Sequence, residues 1–189
     1  MASYSVQERA RQIRLLVLDV DGILSDGRLT FTNNADELKS FDVQDGFGIK
    51  CIQDAGIKVA VITGRSSFIV HNRMQSLGIA HIIQGREDKG NALSELCAEI
   101  GIDLQETAYM GDDWPDLLAL GLVGLALTAP NAHEEVRKRA HLVTQASGGR
   151  GAVREICDLL LKAQGKYEET LAYYLRNFAK NDAQTKSNP

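Results

Sequence analysis

The sequence has no long hydrophobic run, and this absence excludes two classes of protein. No stretch approaches the roughly 18 consecutive apolar residues that a membrane-spanning helix requires, so no membrane association is expected. The N-terminal residues MASYSVQERARQIR contain no apolar core ahead of a cleavage site, which argues against a secretory signal. We therefore expect a cytoplasmic protein.

Cysteine is scarce and positive charge is not in excess. Cys51, Cys97 and Cys157 lie far apart and are odd in number, which argues against a disulfide framework or a closely spaced metal site. We expect all three to be small buried hydrophobic residues in a reducing compartment. With 21 Lys and Arg against 25 Asp and Glu, the formal net charge is −4, so non-specific binding of nucleic acid is not expected.

The length and composition are those of one ordinary globular domain. The chain has 189 residues, of which 44% are hydrophobic and 24% are charged. We assign residues 1–165 to this domain and residues 166–189 to a C-terminal helix and tail. Leu171, Tyr174, Leu175 and Phe178 recur at helical spacing in the tail, so this helix packs either on its own domain or on a neighbouring subunit. Its polar tip, DAQTKSNP, is expected to be disordered.

Apolar runs alternate regularly with helical stretches along the chain. The predicted strands cover residues 13–20, 57–62, 80–83, 107–110, 123–127 and 141–143. The predicted helices cover residues 46–55, 67–77, 89–100, 114–120, 132–140 and 151–163. This alternation predicts an α/β fold with a Rossmann-like parallel sheet covered by helices on both sides. Residues 27–31 and 37–43 flank the turn pair Asn33–Asn34 and predict a β-hairpin flap directly after the first strand.

Two carboxylates stand at the end of the first predicted strand, in the sequence Asp19-Val20-Asp21-Gly22. Residues two apart on an extended strand point to the same side, and ligands of open α/β sheets bind beyond the carboxyl ends of the strands. Two such close negative charges repel each other unless a cation is present. The pair therefore indicates a divalent metal or shared acid–base work, although a pair that only caps a turn stays an alternative.

Polar residues also follow the other predicted strands. Thr63-Gly64-Arg65 offers a hydroxyl, a flexible backbone and a guanidinium, a combination that suits a phosphate group. Lys89 begins a helix, where the helix dipole does not favour a cation, so a phosphate or a nucleophile as its partner is a better explanation than a solvated lysine. Asp112, Asp113 and Asp116 follow the fourth strand, and three acids at one helix start cannot all be caps.

In this order, each after a strand, these residues resemble the haloacid dehalogenase superfamily of phosphohydrolases over about residues 12–163. The resemblance implies that Asp19 is the nucleophile, which takes the phosphoryl group as an aspartyl phosphate. Asp21 would be the general acid–base, which protonates the leaving alcohol and then activates water. Thr63 and Lys89 would bind the oxygens of the transferring phosphoryl group.

The same resemblance implies a magnesium site. Asp19, Asp112 and the backbone carbonyl of Asp21 would hold Mg²⁺, a hard cation that prefers oxygen ligands. Asp113 or Asp116 would order the water shell of that metal.

Members of this superfamily often carry a large cap domain over the site. Here the hairpin and one helix fill the chain between Asp21 and Thr63, and a helix, a strand and a turn fill the chain between Thr63 and Lys89. Neither stretch has room for a cap, so we expect the hairpin and a neighbouring subunit to cover the site. The alternating apolar residues of the hairpin lead us to expect an oligomer, with a homotetramer as the leading interpretation.

Several segments are similar to one uncapped family, the 3-deoxy-D-manno-octulosonate 8-phosphate phosphatases of lipopolysaccharide sugar synthesis. These segments are DVDGILSDG, ELKSFDVQDGFGIK, VITGRSS, GDDWPDL and SGGRGAVREICDLLLKAQG. In this family the C-terminal tail is associated with a neighbour's active site. The similarity implies Mg²⁺-dependent hydrolysis of an eight-carbon sugar acid phosphate to the free sugar acid and phosphate.

A substrate with both a carboxylate and a phosphate needs cationic and hydrogen-bonding partners. We select Gly64 and Arg65 as binding residues, with Arg73 and Arg86 as further candidates, because arginine binds carboxylates and phosphates through paired hydrogen bonds. For each arginine the alternative is an ordinary surface charge. Asp45 could meet a sugar hydroxyl, and its alternative is the N-cap of the helix predicted from residue 46.

Three other functions are considered. One is a phosphatase for a nine-carbon sugar acid phosphate. Another is a non-catalytic, oligomer-forming domain of the same fold, against which the presence of Asp19, Asp21, Thr63, Lys89 and Asp112 argues. The third is a phospho-accepting receiver domain, whose aspartate would follow the third strand, where this chain has Gln84-Gly85-Arg86.

Overall fold

The computed structural model describes residues 4–185, with side chains as far as residue 176. Its centre is a six-stranded sheet in which every pair of neighbouring strands is parallel. The strands are β1 (Leu15–Leu18), β4 (Lys58–Ile62), β5 (His81–Ile83), β6 (Thr107–Met110), β7 (Leu125–Thr128) and β8 (Leu142–Val143). Their spatial order is β5-β4-β1-β6-β7-β8, which confirms the predicted α/β fold and puts β1 inside the sheet.

Helices cover both faces of the sheet. They are α1 (Val6–Arg11), α2 (Val43–Asp54), α3 (Phe68–Ser76), α4 (Lys89–Ile100), α5 (Leu117–Leu122), α6 (Glu134–Arg137), α7 (Ala152–Ala163) and α8 (Tyr167–Thr185). Alternate residues of β1 point to opposite faces. Leu16 and Leu18 join the core formed with α1, α2, α3 and α7, whereas Leu15 and Val17 join the core formed with α4, α5 and α6. Burial on both faces explains why β1 reads as a continuous apolar run.

The predicted hairpin is present but shorter than expected. Its strands are β2 (Thr30–Phe31) and β3 (Glu37–Leu38), which pair only with each other among the described residues. The ladder comprises two residues on each side, and a two-stranded hairpin by itself is only marginally stable in water. Leu29, Phe31 and Leu38 are about half exposed, so the hairpin presents apolar side chains to solvent.

Helix α2 begins before the predicted residue 46. Asp42 is its N-cap, and the Asp42 carboxylate accepts hydrogen bonds from the backbone N–H groups of Gln44 (2.6 Å) and Asp45 (3.4 Å). The alternative reading of Asp45 as an N-cap of this helix is therefore wrong. Asp45 lies inside the first turn and is buried.

Two other helices differ from their predicted ranges by more than one residue at an end, and α1 was not predicted. Residues 114–116 form a 3₁₀ turn that leads into α5, and α6 is confined to one turn after its cap, His133. Helix α1 is held by a capping box between Ser5 and Glu8 and buries Ala10 against α7. This helix is too short for its apolar periodicity to distinguish it from a loop.

Helix α8 packs on its own domain through Tyr167 and Tyr174, and the Tyr174 ring lies edge-on to Phe47 of α2, with centroids 5.0 Å apart. Leu171 and Leu175, at the same helical spacing, remain partly exposed. The helix continues to Thr185. The side chain of Phe178 and the last residues of the tip expected to be disordered, 186–189, lie outside the described residues, so that expectation stays a prediction.

Two predictions from composition can be compared with the structure. All three cysteines are buried, as expected. Among the described residues, no helix has the length and hydropathy needed to cross a bilayer.

Candidate active site

The carboxyl ends of β1, β4 and β6 meet at one edge of the sheet and open into a single cavity of about 380 Å³. Adjacent parallel strands bring their following loops together there, which is why residues far apart in sequence converge. Its lining residues are Asp19, Asp21, Gly27, Thr63, Gly64, Arg65, Glu87, Lys89, Asp112, Asp113, Pro115 and Asp116. All residues predicted for the phosphoryl and metal sites are in this set.

Asp19 is one of two buried carboxylates of the cavity, together with Asp116. It follows β1 directly, and its backbone N–H donates to the Met110 carbonyl at 2.9 Å. Only 4% of Asp19 is exposed, and the ammonium of Lys89 lies 2.9 Å from its Oδ1. Burial and the nearby charge of Asp116 raise the pKa of Asp19 to about 7, although Lys89 opposes the shift.

Asp112 shares this crowded position. Burial and the charges of Asp19 and Asp116 raise the pKa of Asp112 to about 8. Single oxygens of these three carboxylates lie within 4.8 Å of one another. Such repulsion between buried carboxylates is relieved by a divalent cation, and a set of carboxylate oxygens is the donor type that Mg²⁺ prefers. The residues present therefore fit a magnesium ion.

Asp116 is committed to hydrogen bonds within the protein. Its Oδ1 accepts from Lys89 Nζ and from the Tyr109 hydroxyl, both at 2.7 Å. Its Oδ2 accepts from the backbone N–H groups of Asp112 (3.0 Å) and Asp113 (3.1 Å). Because both oxygens are occupied, Asp116 is a poorer ligand than Asp19 or Asp112. It instead fixes the loop that carries Asp112.

Tyr109 was not selected from the sequence. It lies in β6, where an aromatic residue reads as core, and it is fully buried. Burial and the charge of Asp116 raise the pKa of the Tyr109 phenol well above its ordinary value, so this group remains a hydrogen-bond donor to Asp116. Asp113, by contrast, is exposed, and its carboxylate caps the 3₁₀ turn by accepting from the Trp114 N–H at 2.9 Å.

Asp21, Thr63, Gly64 and Arg65 line the same cavity. Thr63 is buried at the end of β4, and its backbone N–H donates to the Ile83 carbonyl at 2.9 Å. The Arg65 side chain is 49% exposed at the mouth of the cavity, with its Nε 3.9 Å from Asp21 Oδ2. A guanidinium in this position can meet an anionic group that enters from solvent.

Three residues predicted to bind substrate lie elsewhere. Arg86 pairs with Asp88 (2.7 Å) and Glu95 (2.9 Å), two exposed carboxylates of its own loop and of α4. The guanidinium of Arg73 lies against α2, where a Cβ on Gly46 would stand 2.4 Å from its Nη2. Neither arginine lines the cavity.

Asp45, the third of these residues, stabilises α7 instead. Its carboxylate accepts from the backbone N–H of Arg154 at 2.7 Å and from that of Gly151 at 3.3 Å. Burial raises the pKa of Asp45 to about 6, although the bonds from these N–H groups oppose the shift. Asp45 belongs to α2 but caps the start of α7, and sequence spacing does not predict a cap that comes from another helix.

The two glycines of the SGGRG segment pack against the turn that follows β1. A Cβ on Gly148 would lie 1.8 Å from the Gly22 carbonyl oxygen, and a Cβ on Gly149 would lie 2.5 Å from the carbonyl carbon of Ser25. Asn131 joins the same two segments by hydrogen bonds. The general phosphatase motifs do not account for these glycines, whereas this backbone contact beside Asp21 does.

The chain is similar to known proteins in sequence and in structure. Residues 78–156 match the family model of haloacid dehalogenase-like hydrolases. A 3-deoxy-D-manno-octulosonate 8-phosphate phosphatase of Escherichia coli K12 is 48% identical over 167 residues, which cover 88% of this chain and 89% of the relative.

Solved structures agree with this similarity. The phosphatase of the same name from Yersinia pestis is 47% identical with a TM-score of 0.85, covering 86% of this chain and 88% of that one. The 3-deoxy-D-manno-octulosonate 8-phosphate phosphatase from Moraxella catarrhalis, in complex with a magnesium ion, a phosphate ion and a KDO molecule, is 45% identical with a TM-score of 0.88. That match covers 89% of this chain and 97% of the other. The chain therefore belongs to the haloacid dehalogenase-like hydrolases and, among them, to the family of 3-deoxy-D-manno-octulosonate 8-phosphate phosphatases.

Proposed function

We propose that this protein is a Mg²⁺-dependent phosphatase that hydrolyses 3-deoxy-D-manno-octulosonate 8-phosphate to 3-deoxy-D-manno-octulosonate and phosphate. The observation that carries the proposal is the convergence of Asp19, Thr63, Lys89 and Asp112 in one cavity. The eight-carbon substrate comes from the relatives, whose names specify it. The product would serve lipopolysaccharide synthesis.

The reaction proceeds in two steps on Asp19. In the first, a carboxylate oxygen of Asp19 attacks phosphorus, the bond from phosphorus to the sugar oxygen breaks, and Asp21 gives its proton to that oxygen. In the second, Asp21 takes a proton from water as the water oxygen attacks phosphorus, which releases phosphate and restores the Asp19 carboxylate. Both carboxylates line the cavity, as this sequence of proton transfers requires.

The remaining residues stabilise negative charge during transfer. Lys89 contacts Asp19 and is held by Asp116, so its ammonium is fixed beside the reacting carboxylate. Thr63 and the backbone of Gly64, which line the same cavity, bind phosphoryl oxygens.

Asp19, Asp112 and the backbone carbonyl of Asp21 would hold Mg²⁺, which when bound offsets the charge of the carboxylates and of the phosphoryl group. Asp116 accepts a hydrogen bond from the backbone N–H of Asp112 and so orders the loop that carries this ligand. This contact supports our assignment of Asp116 as the residue that orders the surroundings of the metal. Asp113, which caps the neighbouring turn, is the weaker candidate for that role.

Arg65 is the residue that we assign to the carboxylate of the sugar acid, because it is the arginine at the cavity mouth. Arg73 and Arg86 are engaged elsewhere in this chain and are not needed for this assignment. A nine-carbon sugar acid phosphate has the same two charged groups, so Arg65 alone does not choose between the two sugars.

We infer that the protein is a cytoplasmic homotetramer of single-domain subunits comprising residues 1–165, with residues 166–189 as a C-terminal extension. The exposed apolar side chains of Leu29, Phe31 and Leu38 on the hairpin support subunit contacts. Among the described residues no cap domain covers the cavity, so a neighbour's surface, with the C-terminal tail as the proposed segment, would exclude water from it. Light scattering coupled to size exclusion tests the subunit number.

The test of the activity is phosphate release with Mg²⁺ from a panel of sugar phosphates. A strong preference for 3-deoxy-D-manno-octulosonate 8-phosphate supports the proposed substrate, whereas preference for a nine-carbon acid supports the related phosphatase. Absence of activity on every member of the panel would indicate the non-catalytic, oligomer-forming domain.

A further inference from the structure

Four charged side chains form a ring at the hairpin side of the cavity. Lys39 Nζ contacts Asp21 Oδ1 and lies 3.9 Å from Glu37 Oε1. Arg65 Nη2 lies 3.3 Å from the same Glu37 oxygen, and Arg65 Nε lies 3.9 Å from Asp21 Oδ2. The signs alternate around the ring, so each carboxylate lies between two cations and each cation between two carboxylates.

Three members of the ring are largely shielded from solvent, whereas the Arg65 side chain is 49% exposed. The Lys39 side chain is 1% exposed, that of Glu37 is 18% exposed and that of Asp21 is 21% exposed. A lysine side chain is rarely removed from water unless its ammonium is paired. Glu37 is also held by the Ser67 hydroxyl, which donates to its Oε2 at 3.0 Å. The hairpin is therefore fastened to the rim of its own subunit's cavity at two charged residues.

We propose that Lys39 and Glu37 are positioning residues, through which the hairpin fixes the Asp21 carboxylate for proton transfer. Lys39 holds one oxygen of Asp21, and Glu37 holds both Lys39 and Arg65. A general acid must reach the leaving oxygen within hydrogen-bond distance, and the short Asp21 side chain reaches it only in a restricted orientation. The hairpin thus contributes to chemistry within one subunit, in addition to any subunit contacts that it makes.

This inference rests on the proposed role of Asp21, and the test exploits the leaving group. An alkyl alcohol such as a sugar must be protonated as it leaves, whereas p-nitrophenolate leaves without a proton. The ratio kcat/KM reports the steps up to release of that alcohol. We therefore compare kcat/KM on 3-deoxy-D-manno-octulosonate 8-phosphate and on p-nitrophenyl phosphate, for wild type, Lys39→Met and Asp21→Asn.

For Lys39→Met we expect kcat/KM to fall by about 100-fold on the sugar phosphate and by less than about 10-fold on p-nitrophenyl phosphate, the range typical of general acid catalysis. Combining Lys39→Met with Asp21→Asn should cause little further loss, because the two residues act as a unit. Lys58→Met removes an exposed lysine at the opposite end of the sheet and serves as the matched control, with no change on either substrate.

Equal losses on both substrates, or no loss on either, would overturn the positioning role of Lys39. If Lys39→Met does not fold, Glu37→Gln decides by the same ratio, because glutamine keeps the size and an acceptor for Ser67 while losing the charge. A failure of the proposed function has a different signature. In that case the wild type does not hydrolyse the sugar phosphate, or Asp21→Asn itself shows no dependence on the leaving group.

Discussion

Asn131 donates a hydrogen bond from its Nδ2 to the carbonyl oxygen of Gly22, over 2.8 Å. The Oδ1 of the same side chain accepts from the backbone N–H of Gly148, over 2.7 Å. One side-chain amide thus joins three loops, those after β7, after β1 and before α7. Because Gly22 follows Asp21 directly, the hydrogen bond from Asn131 to Gly22 helps to position the turn that carries Asp21.

Replacing Asn131 with Asp should weaken this connection without removing bulk. An aspartate keeps an acceptor for Gly148 but puts a second acceptor opposite the Gly22 carbonyl, so we expect unfolding to require about 1–2 kcal/mol less free energy. Urea unfolding measures this change, and Asn72→Asp on the exposed side of α3 is the control. A variant as stable as wild type would show that the connection contributes nothing.

Gly148→Ala should be more disruptive than its small size implies. A Cβ at this position would lie 1.8 Å from the Gly22 oxygen, so one of the two backbone segments has to shift, at a cost of about 1–3 kcal/mol. The matched variant is Gly121→Ala in α5, where no atom lies within 4 Å of the added Cβ. That variant should gain up to about 1 kcal/mol, because alanine favours a helix. Thermal unfolding of both variants should therefore shift in opposite directions.

The sheet was predictable because each strand is a short apolar run between polar loops, and β1 is buried on both faces. The set Asp19, Thr63, Lys89 and Asp112 was also predictable, since parallel strands bring their carboxyl ends to one edge. Contacts that depend on distant packing were not predictable. Asp45 illustrates this limit, because its partners are backbone groups of α7 that only the folded chain brings close.

Lys39 and Tyr109 show a second limit of predicting site residues from the sequence. Lys39 lies in a segment that the sequence marked as similar to the family, but nothing in its spacing connects it to Asp21. Tyr109 occupies a buried strand position, which in the sequence is typical of a core residue. Its role at the site becomes visible only through the hydrogen bond from its hydroxyl to Asp116. Each of these residues acts through a carboxylate that only the folded chain brings next to it.

Asp45 predicts a pH dependence of stability. Its pKa is about 6 in the folded protein against an ordinary value of 3.8, so the folded state binds more protons in this window. The contribution of Asp45 therefore makes the protein less stable as pH rises from about 4 to about 6, by at most about 3 kcal/mol. Asp45→Asn should lack this slope. Urea unfolding at several pH values compares it with wild type and with Asp103→Asn, which removes an exposed carboxylate.

Asp19→Asn should abolish turnover while the fold remains. Asparagine cannot form the aspartyl phosphate, and we expect kcat to fall by more than about 1000-fold, as when other enzymes lose their nucleophile. Removing one of three crowded carboxylates should also leave the metal-free protein at least as stable as wild type, because less charge is buried. Phosphate release and thermal unfolding without Mg²⁺ measure the two effects. Full activity in this variant would contradict the nucleophile assignment.

Removing residues 167–189 separates the two interpretations of the C-terminal segment. The deletion takes away the contact of Tyr174 with Phe47 but leaves α7 and both cores, so we expect the domain to remain folded while kcat or KM changes. Tyr174→Ala is the companion variant, because it removes the packing inside the subunit and keeps the rest of the segment. If the deletion changes the kinetics and Tyr174→Ala changes only the stability, the tail acts at an active site. Mixing experiments with Asp19→Asn subunits can then show whether that active site belongs to a neighbouring subunit. Unchanged kinetics in the deletion variant would limit the segment to packing on its own domain.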